Sequence, residues 1–187
     1  MEIDLDVSEL VVVDHMVVAF ETDDEIGCVL RLHLAFERLV EFYIKHSASP
    51  EQIKFIEKTN EFSEKLKRAV LLGIPLNIAE VGKQLGKIRN KVAHEQKPIN
   101  RHQLENLIVL VDRMLLGSPS YEPLSKRKLQ LFSKKTGEVI VLGSHGDVYD
   151  FIITAGAAYH GAMMIIIQAV ALKKAAKKSY KSQFNGY

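Results

Sequence analysis

The stretch "NIAEVGKQLGKIRNKVAHEQKPIN", residues 77–100, decides the fold. Ile78, Val81, Leu85, Ile88 and Val92 recur every three or four positions, so one face of a helix is apolar and the others are polar. A strand would alternate with a period of two. Asn77 followed by Glu80 has the spacing of a capping box, which predicts the helix start, and Pro98 removes the amide that a continuing helix needs. Asn100 then stands where an N-cap opens the next helix. Leu104, Leu107, Ile108, Val111 and Leu115 form its inward stripe, and Gly117 and Pro119 its stop.

The same period appears upstream. Asp23 or Asp24 can cap a helix whose apolar set is Ile26, Val29, Leu30, His33, Phe36, Val40 and Tyr43, ending near His46. So wide an apolar set predicts a central helix. "SASPEQ", residues 47–52, supplies a loop and a restart at Pro50, and Phe62, Leu66, Ala69 and Val70 carry a further helix to Gly73 before Pro75 breaks it. Four helices with short links predict an up-down bundle over residues 25–117. The preceding run "SELVVVDHMVVAFET", residues 8–22, fits a helix from Ser8 or a strand, because its valines suit both.

Residues 118–146 lose the helical period. In "KLQLFSKKTGEVIVLGSHGD", residues 128–147, alternating or β-branched runs flank Lys135-Thr136-Gly137 and predict a small β-hairpin. Asp147 then caps a long C-terminal helix reaching about residue 180. The expected fold is all-α: one domain spanning residues 1–187, an up-down bundle followed by an irregular segment and a final helix.

That final helix raises the question of a membrane. "FIITAGAAYHGAMMIIIQAVAL", residues 151–172, has 22 residues without a formal charge and is followed by "KKAAKKSYK", a length that can span a bilayer. Thr154, Tyr159, His160 and Gln168 interrupt it, and eight of its residues are Ala or Gly. Ala157, Gly161 and Gln168 fall near one face, which suits close approach to another helix. A buried core or dimer helix is therefore expected rather than a tail anchor, with no membrane partner.

A formal charge of +2 gives no global basic field, so nucleic-acid binding would have to come from a local patch. Cys28 is the one cysteine, and acidic residues break up the first turns where a secretory signal would be apolar. A reducing, cytoplasmic compartment is expected. No metal spacing, phosphate loop, dinucleotide fingerprint or nucleophile elbow occurs, which implies no cofactor and removes most familiar enzyme classes.

What remains is Arg89-Asn90-x3-His94. At 100° per residue Asn90 and His94 share a face roughly opposite the Ile88/Val92 stripe, with Arg89 on the flank. Lys87 and Lys91 extend this into a polar strip able to track a phosphate backbone, or simply to meet water. Basic groups at a helix C-terminus also have a purely structural reason, since they favour the negative end of its dipole. Elsewhere, Glu37 and Glu41 are expected to be solvated or ion-paired, with Arg89 and His94 as partners within reach across the bundle. His33 is expected as a satisfied core or interface histidine. Cys28 is expected to lack a basic neighbour that would activate it, and His145 and His160 lack useful partners; His102, near the start of the next helix, could approach the motif but is expected as surface decoration.

"RNKVAHE", residues 89–95, on the helix it ends, resembles the HEPN superfamily, whose members carry Arg, a following polar residue and a His four to six residues on. The resemblance covers about residues 25–117. Within that superfamily the order of elements, with a final helix ending in Leu172-Lys173-Lys174-Ala175, is similar to the mannitol operon repressor family. The resemblance implies a homodimer whose two motifs line one cleft. There Arg89, Asn90 and His94 would cut RNA without metal, Lys87 and Lys91 would bind the strand, and an antitoxin or regulatory protein would be a partner. It equally implies the alternative of a non-catalytic transcriptional regulator or interaction protein.

Overall fold

A computed structural model describes residues 6–10, 13–22, 24–55, 61–116, 121–131 and 139–184. Its α-helices are α1 (Val13–Glu21), α2 (Glu25–Ser47), α3 (Pro50–Phe55), α4 (Phe62–Leu71), α5 (Leu76–Glu95), α6 (Arg101–Leu115) and α7 (Asp147–Phe184). Two short strands, β1 (Lys128–Gln130) and β2 (Val139–Val141), pair antiparallel with Leu129 opposite Ile140. The protein is all-α, with a long C-terminal helix and a small hairpin. The hairpin turn at 135–137 lies outside the described residues, as do Gly117 and Pro119.

Helix α2 is the axis, because its apolar residues cover most of its circumference. Cys28, Val29, Leu32, Phe36, Leu39, Val40 and Tyr43 are buried around its circumference, since α2 packs against α1, α4, α5 and α7. Full burial of such side chains is worth about 1.5–3 kcal/mol each. Along the ring α2, α5, α6, α7, each helix touches the next and α7 closes back on α2. The C-terminal helix is therefore a wall of the bundle. The segment at 50–73, expected as one of the four walls, is instead split into α3 and α4, and α4 lies over the seam between α2 and α5.

Pairings fix the directions. Short links make α4, α5 and α6 alternate: Phe62 meets Gly86 and Leu66 meets Gly82, while Gln84 bonds the Gln103 carbonyl and Glu80 pairs with Arg113. Helix α7 runs parallel to α6, with Asp147 and Asp150 bound by Arg101 at one end and Gly161 against Leu115 further along. A β-carbon on Gly161 would overlap the Leu115 side chain, so glycine is what lets these two helices approach. By length and composition α7 can cross a membrane. Its stretch from Phe151 to Ala155 is buried in this bundle, together with Ala157, Ala158, Tyr159 and Ala162.

The helix starts depart in part from their sequence signals. Asn100 caps α6 as expected, its side chain accepting from the Gln103 amide at 3.1 Å. Asn77 forms no capping box: Pro75 already fixes the chain's entry to α5, and Asn77 accepts from the adjacent Ile78 amide at 2.9 Å. Its presumed box partner, Glu80, is drawn to Arg113. Asp24 occupies the N-cap position of α2 without a side-chain cap bond, and Asp23 lies outside the described residues. Asp147 is the first helical residue of α7, its carboxylate taken by Arg101 rather than by the helix amides.

Candidate functional site

Two glycines shape the face of α5 that meets α2 and α4. A β-carbon at Gly82 would come within 3.0 Å of Leu66 and Phe36, so its absence seats those side chains. At Gly86, one turn later, a β-carbon would stand 3.4 Å from Phe62 and 3.9 Å from Nε2 of His33. A groove of about 1120 Å³ lies along this face between α2, α4 and α5, its lining running from Leu76 past Gly86 to His94.

The groove has two ends of different chemistry. Val70, Leu71, Leu76 and Ala79 line one, and Leu71 is 87% exposed and Leu76 66%. Lys83, Lys87, Arg89, Asn90 and His94 line the other. Of the carboxylates nearby, Glu80 pairs with Arg113, Glu37 and Glu41 clasp Lys65 at 2.6 and 2.5 Å, and Glu61 lines the groove on the side of Lys67, which is bound by Glu64. Lys83, Lys87 and Arg89 have no carboxylate within ion-pair distance among the described residues. The polar end is therefore locally positive although the chain is nearly neutral.

Arg89 and Asn90 act as a unit, since the guanidinium Nη1 donates to Asn90 Oδ1 at 2.9 Å. Arg89 Nε is buried and has no partner. His33, 5% exposed, lies beneath it on α2 with Phe62 edge-on at 4.5 Å. Its Nδ1 is 3.9 Å from Glu37 Oε2, and its Nε2 has no partner. Burial first, and then the positive charges of Arg89 and Lys65, hold His33 down to about 4, so the ring is neutral near pH 7. Lys65 is itself held protonated: burial pulls against its charge, but the two carboxylates outweigh that pull.

The structure thus brings Lys87, Arg89, Asn90 and His94 to one groove, with Asn90 and His94 on the outward face of α5. Lys91 is half-buried and does not line it. Glu37 and Glu41 do not reach Arg89 or His94, because Lys65 lies between them and takes both. His33 is buried as expected but not satisfied. His102 is near Asn106 on α6, His145 lies beside Ser144, and His160 borders a separate apolar cavity of about 550 Å³. Arg31, three residues on, is a basic neighbour that the sequence reading did not expect, but burial outweighs its pull and pushes the Cys28 thiol up to about 12, which leaves it inert. No three His, Cys, Asp or Glu side chains gather as metal ligands among the described residues.

Sequence reasoning missed His33, Lys65 and Phe62 as groove residues. The available signal was Gly82 and Gly86 in the interior of a strong helix, where each glycine costs about 1 kcal/mol against alanine and so marks a close approach. Fold and groove together describe an all-α protein with a basic, one-sided cleft. Compared with known proteins, the chain matches no family model, and no curated protein or solved structure is similar enough to register as a match.

Proposed function

We propose that this groove binds the RNA backbone and that two copies of the chain, facing each other as a homodimer, form a metal-independent endoribonuclease. One observation carries this reading: Arg89, Asn90, His94 and Lys87 line a single groove, and Arg89, Lys87 and the neighbouring Lys83 have no carboxylate partner among the described residues. Arg89 binds the scissile phosphate and offsets charge in the transition state, while Asn90 holds the guanidinium in place. His94 of one copy takes the proton of the ribose 2′-hydroxyl, whose oxygen attacks phosphorus. His94 of the other copy protonates the departing 5′-oxygen. The products are a 2′,3′-cyclic phosphate and a free 5′-hydroxyl.

Purified protein incubated with RNA and EDTA tests this, with His94→Ala alongside. Cleavage by wild type alone supports it. Equal cleavage by both, or none by either, removes the enzyme. The exposed Leu71 and Leu76 at the apolar end favour a second reading, a non-catalytic transcriptional regulator or interaction protein that docks a protein partner there. Wild type that leaves RNA intact, yet retards operator-like DNA with steep salt dependence, would establish that reading instead.

A further inference from the structure

Beneath the polar end of the groove are two buried polar atoms without a partner, one on the phosphate-binding arginine and one on a histidine that the proposed chemistry does not use. They are Nε of Arg89 and Nε2 of His33. Leaving such atoms unbonded costs about 1–3 kcal/mol each, so a ligand that satisfies both gains twice. Their demands differ. Arg89 Nε is a cationic donor and needs an anionic acceptor. His33 is neutral, and its Nδ1 faces the free oxygen of Glu37 while Lys65 holds the other. At 3.9 Å this is a charge interaction and not a hydrogen bond; the carboxylate's negative charge favours the ring hydrogen on Nδ1, and Nε2 then offers a lone pair that needs a donor.

A ribonucleotide carries that combination on one sugar–phosphate unit: a hydroxyl that donates and a phosphate that accepts. A deoxyribonucleotide has the phosphate alone. We infer that His33 Nε2 accepts a hydrogen bond from the 2′-hydroxyl of a nucleotide flanking the cleaved bond, and so sets RNA above DNA in this groove. The inference rests on the reading of the groove as an RNA site. The hydroxyl that attacks phosphorus is left to His94. His33 is too weak a base near pH 7 to take that proton, which suits a residue that reads a hydroxyl and does not ionise it.

Gly86 keeps this position open. A β-carbon there would stand at ordinary contact distance from both Phe62 and His33 Nε2, filling the opening without a clash. Alanine also favours the helix over glycine by about 1 kcal/mol. Gly86→Ala thus blocks the reader while the fold is kept, and His33→Leu removes it at similar volume.

The experiment measures binding of one short single-stranded sequence as RNA, as 2′-O-methyl RNA and as DNA, by fluorescence anisotropy with EDTA present. The protein carries His94→Ala so that RNA stays intact. The background protein is expected to bind RNA roughly tenfold more tightly than the other two, the worth of one hydrogen bond. Gly86→Ala and His33→Leu, each checked for folding by circular dichroism, should bring RNA to the DNA level with DNA affinity unchanged. Retention of the RNA preference in both variants overturns the role of His33 while RNA binding stands. No binding of any oligonucleotide overturns the RNA reading itself, and the inference with it.

Discussion

Replacing His33 by leucine should flatten the response of the fold to acid. In the folded chain burial, Arg89 and Lys65 hold this imidazole down to about 4, against an ordinary value of 6.5. The unfolded chain therefore binds the extra proton first as pH falls. Stability contributed by the neutral ring is complete above about pH 6.5 and is lost as pH drops toward 4. At 1.36 kcal/mol per pH unit the full span is worth about 3 kcal/mol, and the part between pH 7 and pH 5 about 2 kcal/mol. Leucine cannot take the proton, so this part of the loss disappears, while the carboxylates that titrate in the same range are common to both proteins. Urea unfolding at pH 7 and pH 5 measures it. With a slope near 2 kcal/mol per molar, the wild-type midpoint should fall by roughly 1 M more than that of His33→Leu. At pH 7 the variant should be about as stable as wild type, because the atom it removes has no partner. Equal losses in the two proteins would refute the burial argument for His33.

Two further outcomes follow from the packing of α7. Arg101→Met strips the charged partner from Asp150, which is fully buried and among the described residues then keeps the Gly143 amide as its one donor outside the helix, so thermal melting should show a loss of about 3 kcal/mol. Gly161→Ala places a methyl against Leu115 and should cost about 1–3 kcal/mol; adding Leu115→Ala should then cost less than it does in the wild-type background, a coupling that denaturant titration of the double-mutant cycle reads.

The helices were legible because their apolar residues keep one period over four or more turns, as Ile78 to Val92 do in α5. Their starts were less so. A capping signal states what a side chain is able to bond, while Asn77, Glu80 and Asp147 answer to Pro75, Arg113 and Arg101, which only the assembled bundle brings near. The role of α7 as a bundle wall was hidden for the same reason. An apolar run announces burial without naming what buries it. At the site, the outward turn of Asn90 and His94 follows from helical geometry alone. The carboxylate pairing does not, since Lys65 is 28 residues from Glu37 in sequence and reaches it only because α4 lies over α2. His33 looked like a satisfied core histidine because a sequence shows that a polar residue is buried and not whether it finds a partner.

The closing of α7 onto α2 has a consequence for the making of the chain. Tyr159 donates to the Leu10 carbonyl and Lys173 to Tyr43, contacts that span 149 and 130 residues. A ribosome adds about 5–20 residues per second. Roughly 100 residues separate the end of α2 from Phe151, so the flank of α2 that α7 covers stays open for about 5–20 s of synthesis. During that interval the half-built bundle offers an apolar stripe to any chaperone, or to any neighbouring nascent chain, within reach.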